Sequence, residues 1–240
     1  MFFERKKRLT DSAFFDGFTD YHCHILFGVD DGLKELSESL KALSYYESLG
    51  VKKVYLTPHV NLTYNDWNII ETNLSTLKNR YKGTIELQLA AEYLLDSGFV
   101  VQIKQGLRCM ENNRVLVESS YFNKSTGFDE TLFQIANGGF TPIIAHPERY
   151  LFMNINKYHE LKNCDYLFQL NLLSLSGMYG SQVKRRAIYL LENNMYDLIG
   201  SDMHDLDLFK KHIMEIRLSK SQYNNLQLIT HSTRENIHMF

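Results

Sequence analysis

Seven short β-rich runs alternate with amphipathic helical stretches along most of this chain of 240 residues. Such alternation is typical of consecutive βα units whose strands form a parallel sheet, so the chain is predicted to be an α/β protein. The helical stretches carry aliphatic stripes that are suited to packing on that sheet, for example Val183, Ala187, Leu190 and Leu191. The predicted strands cover residues 18–26, 53–59, 85–92, 114–119, 142–146, 166–172 and 197–202.

A side chain that can bind metal or carry a proton stands at the end of nearly every predicted strand. The set comprises His22, His24, His59, Glu92, Glu118, His146, Asp202 and His204. In a closed βα barrel the carboxyl ends of all strands meet at one rim, and that rim carries the active site. An open doubly wound sheet would gather only the residues near its switch point. Because such residues recur at nearly every strand end, the sequence favours a closed barrel over an open sheet.

The spacing of His22 and His24 is the most direct indication of metal chemistry. Side chains alternate along a strand, so both imidazoles point to one face and Cys23 points to the other. Imidazoles in the company of carboxylates, such as Asp30 and Asp31, suit manganese, iron or zinc. No thiolate joins the set, which argues against a structural zinc site.

Single members of the set have other interpretations. The segment around His59 is compatible with a turn, and His146 is compatible with a packed core histidine. Glu92 and Glu118, however, follow apolar runs in which an unpaired buried carboxylate would be costly. The recurrence of all these residues at one rim favours a metal centre.

Composition and charge exclude several classes of protein. Lys and Arg total 26 against 28 Asp and Glu, a formal net charge of -2 that lacks the cationic surplus needed by a nucleic-acid partner. Three cysteines are too few for a disulfide framework. A charged start and the lack of any long apolar run predict a cytoplasmic protein with no transmembrane segment.

Five segments of the sequence, taken together, resemble a known family. They read TDYHCHILFGVDDG from residue 19, TPH from 57, AE from 91, AHPERY from 145 and SDMH from 201. In this order, over about residues 18–205, they resemble the PHP (polymerase and histidinol phosphatase) superfamily. Within it, the chain is similar to the manganese-dependent protein-tyrosine phosphatases of bacterial capsule and exopolysaccharide loci. The DDG and AHPERY segments are more specific than the HxH pair, which many metallohydrolases share.

The resemblance implies a distorted (β/α)7 TIM-like barrel, the PHP fold, as a single domain over residues 18–240 after an N-terminal leader of residues 1–17. It also implies two or three divalent ions, with Mn2+ as the expected metal and Fe, Zn or Mg as alternatives. By the same resemblance the first ion takes His22, His24, Glu92 and Asp202, and the second takes Glu92, Glu118 and His146. The third ion takes Asp31, His59 and His204.

Two further residues receive roles at this implied site. Arg149 would bind the phosphate, a task that suits the planar guanidinium. Asp205 is a candidate proton donor, with a metal-held water as the alternative. Relatives often carry a second phosphate-binding arginine after the SDMH segment, where this chain instead has Lys210 and Lys211. One of these lysines either substitutes for the arginine or the second contact is missing.

The expected reaction is hydrolysis of a phosphomonoester by water that clustered divalent ions activate. A phosphocysteine route is disfavoured because none of the three cysteines is followed six positions later by arginine. The resemblance implies, as substrate, the tyrosine-phosphorylated tail of a bacterial tyrosine kinase of polysaccharide export. Tyr64, Trp67 and Tyr150 are candidate ring-stacking residues at the rim, with loop packing as their alternative role.

Other functions remain compatible with the same sequence. A histidinol phosphatase or another small-molecule PHP phosphatase would present the same metal ligands. A barrel that keeps its metal only to present a binding surface is the non-enzymatic alternative, and the intact ligand set argues against it. A PHP nuclease is disfavoured by the acidic net charge.

Overall fold

The computed structural model of the chain describes residues 6–121 and 127–235. Its strands are β1 Lys7–Arg8, β2 Thr19–Cys23, β3 Lys53–Leu56, β4 His59–Val60, β5 Glu86–Leu89, β6 Glu92–Leu94, β7 Arg114–Glu118, β8 Thr141–Ala145, β9 Leu167–Asn171, β10 Leu198–Gly200 and β11 Arg217–Leu218. Its α-helices are α1 Leu36–Leu49, α2 Trp67–Arg80, α3 Phe99–Gln105, α4 Phe128–Asn137, α5 Ile155–Asn163, α6 Ser181–Glu192, α7 Leu206–Ile213 and α8 Lys220–Glu235.

Each of the seven predicted runs contains a strand, but two of the runs are interrupted. The run at 53–59 divides into β3 and β4 around Thr57 and Pro58, and the run at 85–92 divides into β5 and β6 around Ala90 and Ala91. Proline has no backbone N–H to donate to a neighbouring strand, which accounts for the first break. Because of these breaks, His59 and Glu92 begin new strands instead of ending the old ones.

Two parallel sheets form the body of the fold. One has the strand order β10-β9-β8-β7-β6-β4 and the other has the order β2-β3-β5. The chain itself runs from one sheet to the other at the breaks, and the hydrogen bonding continues through them. The Ala90 amide donates to the Leu56 carbonyl at 2.9 Å and extends the β3–β5 pair, and the Glu92 amide donates to the Pro58 carbonyl at 3.1 Å and extends the β4–β6 pair. The mixed α/β class with curled parallel sheets is therefore confirmed.

The far edges of the two sheets also approach each other. The amide of Asp202, just after β10, donates to the carbonyl of His22 in β2 at 2.7 Å, and the amide of His24 donates to the carbonyl of Met203 at 3.0 Å. Both bonds lie at the carboxyl ends of their strands. They bring the first and the last parallel strand to the same polar rim.

The helices cover the sheets with the aliphatic faces that the sequence pattern predicted. In α6, Val183, Ala187, Leu190 and Leu191 are all buried. Helix α1 begins with a capping box between Glu35 and Glu38, and it ends at Gly50 in the left-handed conformation with φ 96°. Within the described residues, no helix has the length and apolar character that crossing a bilayer requires.

Residues 6–17, which the sequence analysis assigned to a leader, pack against the rest of the fold. β1 pairs antiparallel with β11, and the amide of Leu9 donates to the carbonyl of Ile216 at 3.0 Å. Leu9, Phe14 and Phe15 are buried in the main hydrophobic core. The described part of the leader is thus structurally continuous with the α/β body.

Candidate metal centre and its rim

The structure gathers eight of the nine predicted ligands, all except His146, into three overlapping groups at the polar rim. The ligand atoms within each group lie within 4.8 Å of one another. The groups are His22, His24, Glu92 and Asp202; His24, Asp31, His59 and His204; and His59, Glu92 and Glu118. The first group coincides with the ligand set expected for the first ion. His146 lies outside the third group but contacts its central carboxylate, Glu92.

Glu92 is the centre of this cluster. Its Oε2 lies 3.1 Å from Nε2 of His22, 3.3 Å from Nε2 of His24 and 3.0 Å from Nδ1 of His59. Its Oε1 lies 3.0 Å from Nε2 of His146. Strand register explains part of this arrangement, since His59 and Glu92 are direct partners in the parallel pair of β4 and β6.

Alternation along β2 produces the paired imidazoles as predicted. Nε2 of His22 and Nε2 of His24 lie 3.1 Å apart on the inner face. Cys23 points the other way, and its thiol donates to the carbonyl of Tyr55 at 3.4 Å. Burial raises the pKa of the Cys23 thiol well above its usual range. The thiol is therefore neither a ligand nor a reactive thiolate.

The donor set fits divalent metal ions. His59 Nδ1 and Glu92 Oε2 are buried and have no well-formed hydrogen bond within the described part of the chain, and the same is true of His146 Nδ1. Buried polar atoms are almost always satisfied, so three such atoms in one cluster indicate a missing partner. Imidazole nitrogens and carboxylate oxygens are ligands for Mn, Fe and Zn ions.

The charges at the cluster shift the pKa values of its imidazoles and carboxylates in opposite directions. Burial lowers the pKa of His59, but the carboxylates of Glu92 and Glu118 outweigh burial and raise it to about 10. Burial raises the pKa of Glu92, but the charges of His22 and His59 bring it well below its usual range. A proton on these imidazoles occupies the place of a cation, so metal binding must displace it.

Hydrogen bonds behind the ligands fix the orientation of the two β2 imidazoles. Asp30 Oδ2 lies 2.7 Å from His24 Nδ1, and Gln169 Oε1 lies 2.9 Å from His22 Nδ1. Each bond leaves Nε2 facing the cluster. The sequence predicts Asp30 near the site but not this role, and it does not predict a role for Gln169. The available signal for Gln169 was an amide side chain inside an otherwise apolar strand.

Two candidate ligands adopt the left-handed backbone conformation, which is uncommon for residues other than glycine. His146 has φ 34° and Asp202 has φ 52°. Each follows a strand of the six-stranded sheet, and the unusual dihedral turns its side chain toward the rim. Such outliers concentrate at functional sites, because the surrounding structure must hold them in place.

Arg149 lies at the edge of an open cavity of about 350 Å³. Its Nη1 donates to Asp202 Oδ2 at 2.8 Å. The guanidinium carbon lies 4.2 Å from the ring centre of Tyr121 and 4.3 Å from that of Tyr179, so two aromatic rings flank the cation. Asp31, His59, Glu118, Asp202 and His204 line the same cavity. A phosphate that enters the cavity therefore meets both the cluster and Arg149.

Asp205 also lines the cavity, and its Oδ1 accepts a hydrogen bond from the Leu208 amide at 2.8 Å as the N-cap of α7. Lys210 lies elsewhere, with its ammonium 5.0 Å from the ring centre of Tyr45 in a separate cavity. Lys211 is exposed on α7 and does not line the site cavity. Neither lysine takes the place of the second arginine, and among the described lining residues Arg149 is the one lysine or arginine.

The alternative role of packing fits two of the three candidate stacking residues, Tyr150 and Trp67, and the ring centre of Tyr64 lies 6.5 Å from that of His59. Tyr150 is fully buried, and its hydroxyl accepts from the Ser119 amide at 2.9 Å. Trp67 instead packs with Arg108, 5.1 Å from its ring centre. The tyrosine rings that line the cavity are those of Tyr121 and Tyr179, in loops whose sequences carry no periodic signal, and Phe209 of α7 lines it as well.

Comparison with known proteins gives consistent matches. The sequence model of one family, capsular polysaccharide synthesis CpsB/CapC, matches residues 18–226. The tyrosine-protein phosphatase CpsB of Streptococcus agalactiae is 30% identical over 203 residues, which cover 79% of this chain and 84% of that protein. The tyrosine-protein phosphatase YwqE of Bacillus subtilis is 27% identical over 206 residues, covering 82% and 81% respectively.

Solved structures share the fold. One, described as that of YwqE from Bacillus subtilis and CpsB from Streptococcus pneumoniae, metal-dependent tyrosine phosphatases, matches with a TM-score of 0.73. At 22% identity it covers 89% of this chain and 94% of that chain. A lactonase, Lmo2620 from Listeria monocytogenes, matches with a TM-score of 0.52 at 12% identity. Because the scaffold also occurs in a lactonase, fold alone does not define the reaction.

Proposed function

Because this chain belongs to the CpsB/CapC family of capsular polysaccharide synthesis, we propose that it is a metal-dependent protein-tyrosine phosphatase. Membership confirms the family resemblance seen in the sequence. The observation that carries the proposed activity is the buried carboxylate of Glu92, which four imidazoles surround next to the cavity that Arg149 lines. That arrangement combines a metal cluster with a phosphate-binding cation.

The proposed ligands follow the groups at the rim. His22, His24, Glu92 and Asp202 would hold the first ion, and Glu118 and His146 would join Glu92 at the second. Asp31, His59 and His204 would hold the third ion. His59 contacts both Glu92 and Glu118, which supports placing His59 between the second and the third metal site. We propose Mn2+ as the metal, with Fe, Zn or Mg as alternatives.

We further propose that the parallel strands form one closed, distorted (β/α)7 barrel over residues 18–240. The hydrogen bonds at the two strand breaks and between the outer strands β2 and β10 support this closure. A cytoplasmic location is consistent with the three unpaired cysteines.

The chain's own side chains would bind and orient the phosphorylated substrate. The chemistry that a bound divalent cluster supplies is activation of water as the nucleophile and neutralisation of charge on the phosphoryl oxygens. Arg149 keeps N–H donors beyond the one that contacts Asp202, and these would orient the phosphate. Asp205 would donate a proton to the leaving phenolate, whose ordinary pKa of about 10 makes it a good leaving group.

The proposed physiological substrate is the phosphorylated tail of a bacterial tyrosine kinase. An open cavity supports a substrate whose peptide remains attached during reaction, since a phosphotyrosine must enter while its neighbours stay outside. The rings of Tyr121 and Tyr179 would contact the phenyl group.

The test is hydrolysis after removal and return of metal. The chelated protein is supplied separately with manganese, iron, zinc and magnesium, and a phosphotyrosine peptide, a phosphoserine peptide and histidinol phosphate are compared. We expect manganese to restore hydrolysis of the phosphotyrosine peptide. A far higher kcat/KM for histidinol phosphate would establish the small-molecule phosphatase instead, and metal uptake without any hydrolysis would establish a binding scaffold.

Variants make the same test specific to the cluster. Glu92→Ala should lose both metal and hydrolysis because it removes the central carboxylate. Glu71→Ala removes a carboxylate that is 55% exposed on α2, and it serves as the matched control. Equal activity in the two variants would contradict the proposed site.

A further inference from the structure

A second cavity, of about 640 Å³, lies between the start of α5 and the outer face of α6. We call it the α5–α6 groove. Among the described residues, no carboxylate lines it. Its lining residues are Met153, Asn154, Ile155, Asn156, Tyr158, Gln182, Arg185, Arg186 and Tyr189. The groove thus combines two cations with amide, aromatic and aliphatic side chains.

The groove and the site cavity are lined by nearby residues of the same two chain segments. On one segment Arg149 lines the site and Met153 lines the groove. On the other, Tyr179 lines the site and Gln182 lines the groove. The groove therefore lies close to the site on both segments, where the peptide attached to a phosphotyrosine in the site can reach it over the surface.

Arg186 ties the two segments together. Its Nη1 donates to the carbonyl of Tyr150 at 2.7 Å, and its Nη2 donates to the carbonyl of Leu151 at 3.0 Å. These bonds hold the loop that follows Arg149 against α6. Arg186 therefore serves the groove as part of its wall, and hydrogen bonds to Tyr150, Leu151 and Tyr158 hold its guanidinium in place.

Arg185 differs from its neighbour because it is exposed and is in no ion pair with a carboxylate of the described residues. Ile155, which is 50% exposed, offers an apolar surface in the same groove. In a protein with net charge -2, an unpaired arginine above an apolar surface without nearby carboxylates favours an anionic, partly apolar partner.

We propose that the α5–α6 groove binds the peptide that flanks the substrate phosphotyrosine, and that Arg185 pairs with an acidic residue of this flank. The proposal rests on the proposed phosphatase function. It assigns the groove to substrate selection, while the metal cluster and Arg149 act on the phosphate. A small aryl phosphate has no flank and would not use the groove.

The experiment compares substrates with and without the flank. Parent protein, Arg185→Glu and Arg185→Lys are assayed with a phosphotyrosine peptide flanked by glutamates, the same peptide flanked by alanines, and p-nitrophenyl phosphate. Lys78→Glu is the matched control, because Lys78 is exposed near the end of α2, outside the groove.

We expect Arg185→Glu to raise KM for the glutamate-flanked peptide by about threefold to tenfold, as for one exposed ion pair turned into a repulsion. KM for the other two substrates, and kcat for all three, should stay unchanged. Arg185→Lys should behave like the parent, and the effect should shrink at high salt. An equal change for all three substrates, or no change for any, would overturn the proposal.

A binding measurement separates this proposal from the proposed function. Fluorescence anisotropy of the unphosphorylated glutamate-flanked peptide requires no turnover. Weaker binding to Arg185→Glu than to the parent and Lys78→Glu supports the groove even if the parent hydrolyses no phosphotyrosine. Equal binding to all three proteins overturns the groove even if the parent is an active phosphatase.

Discussion

Replacement of Arg149 by alanine tests whether Arg149 binds the phosphate independently of the metal cluster. The guanidinium donates one N–H to Asp202 at 2.8 Å and lies between the rings of Tyr121 and Tyr179. These contacts fix its position before substrate arrives. The Arg149→Ala variant should therefore lose the full contribution of preformed, charged hydrogen bonds to phosphate.

The expected loss is about 1.5–3 kcal/mol, the usual worth of hydrogen bonds that involve a charged group. At 1.4 kcal/mol for each factor of ten, kcat/KM should fall by about 10-fold to 150-fold. Asp202 keeps a second contact, from Nδ2 of Asn171 at 2.7 Å, so its carboxylate remains oriented in the variant. Metal content should therefore stay close to that of the parent.

The assay measures kcat/KM in manganese for a phosphotyrosine peptide and for p-nitrophenyl phosphate, with metal content determined on the same samples. Both substrates carry the same phosphate, so both should lose activity by a similar factor. Arg149→Lys keeps the charge but not the planar fork, and it should fall between parent and alanine variant. Unchanged kcat/KM at full metal content would refute a role in phosphate binding. Loss of metal would show that Arg149 acts through Asp202 instead.

Four other predictions follow from the same contacts. Asp30→Asn should weaken metal binding by about 10-fold to 100-fold in a titration, because the residue orients His24; unchanged affinity would contradict this role. Replacement of all three cysteines should preserve turnover, and loss of activity in a folded, metal-loaded variant would require a thiol nucleophile. Phe14→Ala should lower the free energy of unfolding by about 3–5 kcal/mol in denaturant, because Phe14 is buried in the core. A change below about 1 kcal/mol would show that this part of the N-terminal leader is dispensable for stability. In metal-free protein the pKa of His59 is raised to about 10. The protonated imidazole therefore stabilises the fold fully below about pH 6.5, and this contribution disappears as pH rises through 10. Calorimetry should detect proton release on metal binding at neutral pH and less release above pH 10.

The strands and the ligand positions were accessible to sequence reasoning because both follow from local rules. A run of aliphatic and β-branched residues predicts a strand, and alternation along β2 predicts that His22 and His24 share a face. The breaks after β3 and β5 were not predicted. They place His59 and Glu92 at the starts of short strands, where register with each other decides their contact.

The rim could not be predicted in the same way, because loops position its side chains. Tyr150 directly follows Arg149, yet the 3₁₀ turn at Pro147–Arg149 directs the tyrosine into the core while the arginine reaches the cavity. Tyr121 and Tyr179 are distant in sequence and meet only around the guanidinium. No sequence periodicity indicates that these two rings come together, so only the tertiary structure identifies the two tyrosines.

The pairing of β1 with β11 has a consequence for synthesis of the chain. The Leu9 amide finds its partner in Ile216, so roughly 200 residues must be added before this bond can form. At about 5–20 residues per second, the interval is about 10–40 s. During that time β1 lacks β11, the strand with which it pairs. In a nascent chain of this protein, residues 7–9 therefore stay without these backbone partners until Ile216 has been added, and this N-terminal segment is where we expect chaperones to bind.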